Sequence, residues 1–459
     1  MKLKNLKDVI AGAGSSIKDV MRLIDHSGLR VAYIVDAQKR LAGAISDSEI
    51  RKAILRGVDI RNKALDIANP DPIVFREEDA ANPYSAERAV KRLLEKMPDS
   101  RYILVVDRNS RPKKIVRCRA FTSVANKEKH EHTGRKILVV GGAGYLGSIL
   151  VRKLLARDIK VRVLDILMYG SKSVEGLLKN RMFELVNGDM RDISTIVRAL
   201  SGVDAVVNLA AIVGDPACKN RPEAAIETNY LANKALAEAC KYHQINRFVY
   251  ASTCSVYGTM DGNKLLDENS ALNPVSLYAR SKIHAEEGIL SLMDENFSPT
   301  ILRMGTLYGC SPRMRFDLVV NTMTKTAVKS GRISVHGGGK QWRPMLHVDD
   351  AAEAYIKCLE APIHRIRGEI FNVGSEDENY RIIRLAEIVK GCVPGSKLVM
   401  EGKANDPRNY SVSFAKIRKA LKFRPVVRME KGVMDIKKKI GEEIDNVDDP
   451  KYYNVEYSQ

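Results

Sequence analysis

From residue 136 onward, short apolar runs alternate with helical stretches, and no other feature limits the fold so strongly. "KILVV", "KVRVLD", "AVVNLA", "RFVYAS" and "PTILRM" have the composition of parallel strands buried on both faces. Between them lie stretches with helical spacing, such as "YLGSILVRKLLARD" and "NYLANKALAEACKYH". The alternation predicts an α/β fold, a doubly wound parallel sheet that takes ligands at the carboxyl ends of its strands. The first strand runs into "VVGGAGYLGSIL", where Gly141, Gly144 and Gly147 form Gly-x-x-Gly-x-x-Gly around Tyr145 and Leu146. A tight turn, close backbone approach to a pyrophosphate and close packing of helix on sheet are all obstructed by side chains. A dinucleotide site is the expectation. The second strand ends in Asp165, placed to bond the hydroxyls of an adenosine ribose. Its charge would repel a 2′-phosphate, so NAD is expected over NADP.

Downstream, "NPVSLYARSKIHAEE" puts Tyr278 and Lys282 four residues apart on one helix face. That spacing alone is ordinary; beside a dinucleotide site it describes an acid/base. A phenol of unperturbed pKa near ~10 is a poor base at neutral pH. A neighbouring ammonium and the positive nicotinamide of an oxidised cofactor would stabilise its phenolate. Thr253, ending the strand "RFVYAST", is placed to align an alcohol whose proton goes to Tyr278 while hydride leaves the carbon.

Several motifs occur in order: "GGAGYLG", "NGDMRD" (187–192), "NLAAIVGDPAC" (208–218), "STCSVYG", "YARSK", "LRMGTLYG" (302–309), "QWRPMLHVDD" (341–350) and "DPRNYSVSFAKIRKAL" (406–421). Together they resemble the extended short-chain dehydrogenase/reductase family, in particular its NAD-dependent nucleotide-sugar epimerases and dehydratases, over residues 135–440. The resemblance implies a Rossmann sheet with a small C-terminal substrate-binding subdomain, mainly 310–345 and 375–440. It implies Asp189 and Met190 near adenine, Ala210 and Ala211 along the cofactor, and Tyr278 as acid/base with Lys282 as partner. It implies a nucleotide-diphosphate sugar held by Arg343, Arg408 and Asn321, a role that suits bidentate guanidinium groups. The family pairs two helices from each subunit. Here Ile226, Leu231, Ala235 and Leu236 of 224–243 cannot all face one sheet, and a homodimer is expected. The chain departs from the family pattern at Val140, Asn208 and Thr306, where Thr, His and Asn are frequent; none of these belongs to the catalytic set.

Family dehydratases carry Asp-Glu directly after the catalytic Thr, whereas this chain has Cys254 and Ser255. Epimerisation through a 4-keto intermediate, or C4 oxidation, is therefore expected over 4,6-dehydration. Cys254 is read as an apolar filler in preference to an extra acid/base, and His347 as structural. Arg313 and Arg315 are open between a substrate role and a solvated or structural one. "GCSPRMRFDLVVN" also resembles dehydrogenases acting on GDP-linked heptoses, an alternative reading. A reading of another class is a non-catalytic NAD-binding sensor; such proteins commonly lose the Tyr-Lys pair, which this chain retains.

The first quarter repeats. "RVAYIVDAQKRLAGAIS" (30–46) and "RYILVVDRNSRPKKIVR" (101–117) align without a gap, each after an amphipathic helix, "SIKDVMRLIDHSG" or "SAERAVKRLLEKM". Two such copies would pack their sheets together, since one could not bury both faces. Residues 1–124 resemble an α+β pair of CBS domains. In that family a Ser/Thr and an Asp at the strand-to-helix turn hold an adenosine ribose and phosphate; Ser46 and Glu49 stand there in the first copy, Arg117 and Ala120 in the second. One adenine nucleotide or none is expected. "NKEKHEHTG" within 125–134 reads as a linker, and His130 and His132 in this charged run imply no metal.

The net charge of +19 raises nucleic acid as a partner, but basic residues are scattered and aromatics are few, 6% with one Trp. A cleft for a phosphate-bearing small molecule is the preferred account. Seven dispersed cysteines without a CxxC pair argue against disulfides or zinc and for a reducing cytoplasm. No apolar run approaches the ~20 residues of a spanning helix. The acidic end, 441–459, is expected to be a loosely held tail.

Overall fold

A computed structural model of the chain describes residues 6–27, 29, 31–78, 102–117, 135–259, 264–402 and 406–454. The chain divides into two compact units, Met1–Glu131 and His132–Gln459.

In the first unit, strands β1 (Ile10–Gly12), β2 (Val31–Val35) and β3 (Leu41–Ser46) form one sheet, and β4 (Phe75–Arg76), β5 (Tyr102–Val106) and β6 (Pro112–Arg117) form another. The repeat holds to backbone detail. In both hairpins the register slips near the end of the first strand, at Ile34/Val35 and Val105/Val106. Both turns need one left-handed residue, Lys39 (φ 61°) and Ser110 (φ 58°). Asp36 accepts from the amides of Gln38 and Arg40, and Asp107 from those of Asn109 and Arg111. Val31, Tyr33 and Ala44 share one buried cluster with Leu104, Val106 and Ile115, so the copies bury each other's apolar faces. The first helix forms as Ile17–Ser27. The second, "SAERAVKRLLEKM", lies outside the described residues, as do Cys118, Ala120 and the linker with His130 and His132.

In the second unit, β7 (Lys136–Val140), β8 (Lys160–Asp165), β9 (Phe183–Asn187), β10 (Ala205–Asn208), β11 (Arg247–Thr253) and β12 (Ser298–Met304) come in chain order. β13 (Thr306–Tyr308), β14 (Arg332–His336) and β15 (Trp342–His347) lie outside the main sheet, and β16 (Ile370–Val373) returns to it. The sheet has seven parallel strands in the order β16-β12-β11-β10-β7-β8-β9. Its strands are apolar on both sides because separate clusters cover the two faces. The order reverses between β7 and β10, and the crevice at that switch is where the fold receives ligands.

After β17 (Asn379–Arg381) and β18 (Lys397–Glu401), a third cluster forms the smaller lobe, where the helices Val319–Ser330, Ile382–Cys392 and Met429–Glu442 pack with β14, itself paired in parallel with β18. This lobe corrects the expected loose tail as far as residue 454, where the described residues end. Ile444 (7% exposed) and Val447 (4%) are buried in its core. The Phe316 amide donates to the Tyr452 carbonyl, and Lys325 Nζ to the Tyr453 hydroxyl.

The helix expected over 224–243 forms as Pro222–Ile226 and Asn233–Tyr242 with a wide π turn, Glu227–Ala232, between them. Polar side chains make the difference. Asn233 Nδ2 donates to the Thr228 and Asn229 carbonyls inside that turn, and the Asn229 amide bonds both the N–H and the carbonyl of Ile212.

Candidate active site

A cavity of about 1220 Å³ opens at the carboxyl ends of β7, β8, β10 and β11. Of the expected cofactor, catalytic and substrate residues, all but Asn321 line it: Gly141, Gly144, Tyr145, Leu146, Gly147, Asp165, Asp189, Met190, Ala210, Ala211, Thr253, Tyr278, Lys282, Arg343 and Arg408.

The glycines have separate causes. Gly141 sits at φ +78°, and a Cβ there would lie 2.8 Å from the Ala210 amide nitrogen. A Cβ on Gly147 would overlap the Gly141 carbonyl, so this glycine sets how closely the helix Gly147–Leu155 approaches the sheet. No side chain caps that helix; the Ser148 and Ile149 amides bond the Gly144 and Leu146 carbonyls, and Tyr145, Leu146 and Gly147 at the helix start line the cavity. Asp165 is fixed by two main-chain donors, Ala143 N to Oδ2 (2.9 Å) and Leu167 N to Oδ1 (2.8 Å). Each oxygen keeps a lone pair for a hydroxyl donor. Burial pushes its carboxyl above the usual range. Asp189 caps the Arg191 amide and pairs with its guanidinium. An uncapped helix start, a glycine cradle and an acceptor carboxylate at the next strand end together fit a dinucleotide.

Thr253 ends β11, and its Oγ1 bonds Ser255 Oγ (3.0 Å) and accepts from Ser255 N (3.1 Å). Ser276 caps the helix Leu277–Leu290, which carries Tyr278 and Lys282 on its first turns. Lys282 is 2% exposed; its Nζ donates to the Ala251 carbonyl (2.8 Å) and lies 4.7 Å from the Tyr250 ring centre and 5.9 Å from that of Tyr278. The Tyr278 hydroxyl makes no hydrogen bond among the described residues. In the protein alone, burial pushes the Tyr278 phenol up and the Lys282 ammonium down to about 8. The expected depression of the phenol is thus absent from the protein alone, and the positive charge of a bound cofactor would act towards it.

Ser255 occupies the cavity wall two residues after Thr253, and its hydroxyl lies 3.4 Å from that of Tyr410. Cys254 points away: it is fully buried, does not line the cavity, and its thiol meets the Arg303 carbonyl. His347 is likewise off the cavity. Its Nδ1 caps the Asp349 amide and its ring packs edge-on against Tyr308, the expected structural role.

Two expected contacts differ from the geometry. Asn321 is fully buried, with its amide donating to the Arg315 carbonyl (2.8 Å) and accepting from Gly309 N (3.1 Å); it shapes the 309–315 loop from behind. Ser46 and Glu49 do stand at a strand-to-helix turn, but they satisfy each other in a capping box. Ser46 Oγ bonds Glu49 Oε2 and accepts from Ser48 N, while Ser46 N donates to Glu49 Oε2 (2.9 Å).

Other residues of the site escaped the sequence reading. Asp406 joins the two substrate arginines, pairing with Arg343 Nη2 (2.8 Å) and Arg408 Nη2 (2.7 Å), and Asp215 takes Arg408 Nη1 (3.3 Å). The guanidinium groups beside Asp406 hold its carboxyl far below the usual range. Its place two residues before Arg408 was the available signal. Arg313 (6% exposed) and Arg315 (8%) line the cavity and are not solvated. Behind Lys282, Glu286 and Arg303, each 3% exposed, form a buried ion pair (2.7 Å) that also holds Ser252 and Tyr257.

The sequence pattern of the NAD dependent epimerase/dehydratase family matches residues 137–374, and that of the CBS domain matches residues 6–56. The chain is 29% identical over 312 residues to the protein called uncharacterized UDP-glucose epimerase YtcB of Bacillus subtilis (strain 168), covering 65% of this chain and 95% of that one. It is 28% identical to dTDP-glucose 4,6-dehydratase of Streptomyces niveus over 65% of this chain and 91% of that one. Among solved structures, UDP-glucuronic acid 4-epimerase from Bacillus cereus, in complex with UDP-glucuronic acid and NAD, superposes with a TM-score of 0.61 at 25% identity over 67% of this chain and 99% of its own. The dTDP-glucose 4,6-dehydratase DesIV from Streptomyces venezuelae, with NAD bound, does so with a TM-score of 0.61 at 26% identity over 67% of this chain and 97% of its own.

Proposed function

The chain belongs to the NAD dependent epimerase/dehydratase family, and on that premise we propose that it oxidises a nucleotide-diphosphate sugar at C4, yielding an epimer or a 4-keto sugar. It is an enzyme of this family, and its cofactor is NAD, which supplies a hydride acceptor when bound. One observation carries the finer reading: the wall that holds Thr253, Tyr278 and Lys282 presents the neutral Ser255 and no carboxylate directly after Thr253. Expulsion of a hydroxyl group needs an acid and a base beside the departing group; oxidation at C4 and its reversal need only the Tyr278 phenol.

In this reading Thr253 Oγ1 receives the sugar hydroxyl and aligns it, and Tyr278 takes its proton. Lys282, held by the Ala251 carbonyl, keeps a positive charge next to the phenolate. Asp406 fixes Arg343 and Arg408 so that their remaining donors meet the diphosphate as a prepared pair. The intact Tyr278–Lys282 pair favours turnover over a sensor without chemistry, and the loop 309–321 keeps a GDP-linked heptose among the sugars to test. A nucleotide in the first CBS copy would have to break the Ser46–Glu49 capping box, which supports a structural role for that unit.

The test is product mass. The full chain is incubated with NAD and, separately, UDP-glucose, UDP-glucuronic acid, dTDP-glucose and a GDP-linked heptose. A product of unchanged mass and altered C4 configuration, or one lighter by two hydrogens, is the expected result; a product lighter by one water would overturn the reading.

A further inference from the structure

Arg313 is a buried cation that makes no ion pair among the described residues; Asp317 and Asp165 act on it only through space. It is 6% exposed, and its guanidinium lies 3.8 Å from the Tyr169 ring centre. Its hydrogen bond among the described residues goes from Nη2 to the neutral Asn454 Oδ1 (2.7 Å), and its buried Nε has no partner. The nearby carboxylates are engaged elsewhere: Asp317 pairs with Arg315 (2.7 Å), and Asp165 with two main-chain amides. Such a charge is costly unless a ligand supplies the counter-charge.

The surroundings indicate which ligand. The loop that carries Arg313 is bonded directly to the glycine-rich turn. Tyr145 Oη donates to the Gly309 carbonyl (2.7 Å), Ser311 Oγ to the Tyr145 carbonyl (2.6 Å), and Ser311 Oγ lies 3.0 Å from Ser148 Oγ. Arg313 and Tyr169 line the same cavity as the glycine-rich turn and Asp165. Asn454 arrives from the far end of the chain. Its amide nitrogen donates to Asp317 Oδ2 and its Nδ2 to the Val213 carbonyl (both 3.4 Å), which locks the segment 444–454 onto the cavity rim.

We propose that Arg313, positioned by Asn454 of the carboxyl-terminal segment, binds a phosphate oxygen of the dinucleotide's pyrophosphate, so that this segment is part of the cofactor site. The proposal rests on the family reading of the cavity. It adds a cation contributed by the smaller lobe to the cavity that the glycine-rich turn lines.

The test compares ADP with adenosine by calorimetry on the full chain, using wild type, Arg313→Gln, Asn454→Leu and Asn454→Asp, each checked for an unchanged melting profile. ADP affinity should fall about tenfold to a hundredfold in all three variants, the size of one hydrogen bond to a charged group, with adenosine affinity unchanged. Asn454→Asp is the informative arm. It keeps an acceptor for Nη2 but supplies the missing counter-charge, so a merely structural contact predicts no loss there. Unchanged ADP affinity, equal losses for ADP and adenosine, or a raised KM for the nucleotide sugar with ADP binding intact would each overturn the proposal. If Arg313→Gln does not fold, the two Asn454 variants give the same reading. Wild-type protein that binds neither ADP nor NAD would overturn the cofactor reading itself, a different outcome.

Discussion

Lys282 combines its proposed catalytic role with a cost to the fold. Its ammonium is buried with one carbonyl as hydrogen-bond partner, and Glu286 compensates it only through space. Lys282→Met should therefore abolish turnover while stabilising the protein by roughly 1–3 kcal/mol at pH 7, read from urea unfolding. The sign depends on pH. Between about 8, the folded value, and the ordinary ~10.4, the unfolded chain binds a proton that the folded chain lacks, so wild-type stability rises through that window and the variant's advantage shrinks. Residues whose placement follows from local geometry were legible in the sequence. Tyr278 and Lys282 share a face because they are one helical turn apart, and Gly141 and Gly147 are fixed by a turn seven residues long. Asn321 was not, because its neighbours come from a loop whose path no spacing rule fixes.

At the level of elements, the repeat, the parallel strands and the strand-to-helix turn at Ser46 were all legible, since each rests on periodicity. What Ser46 does was less so: Ser-x-x-Glu is both a ligand turn in one family and a capping box in general. Ser46→Ala should cost the first unit about 1 kcal/mol of stability and leave any AMP heat of the full chain unchanged; loss of such heat in a folded variant would restore the ligand role. The π turn Glu227–Ala232 was hidden because its cause, Asn229 and Asn233 bonding inward, leaves the apolar spacing nearly helical. The carboxyl-terminal segment was misread for a related reason. Its acidic composition masks Ile444 and Val447, two residues too few to show a period, yet they anchor it in the core of the smaller lobe.

For the whole molecule, the net charge of +19 includes the buried arginines Arg313, Arg315 and Arg343, which line the cavity. No helix among the described residues is long and apolar enough to cross a membrane. The helices around the π turn leave Ile226 (43% exposed) and Leu231 (52%) in solvent while Leu236 is buried. This exposed apolar face supports a homodimer, and light scattering at micromolar concentration should give about twice the chain mass of 51.1 kDa; a mass near 51.1 kDa would refute it. The account as a whole turns on one proton acceptor. Its most direct test is rapid mixing of NAD-loaded protein with a nucleotide sugar that it turns over, following the absorbance of the reduced nicotinamide in wild type and Tyr278→Phe. The variant should fold and bind NAD as wild type does and form the reduced cofactor at least about a hundredfold more slowly, whereas a rate within about tenfold of wild type would contradict the assignment of Tyr278.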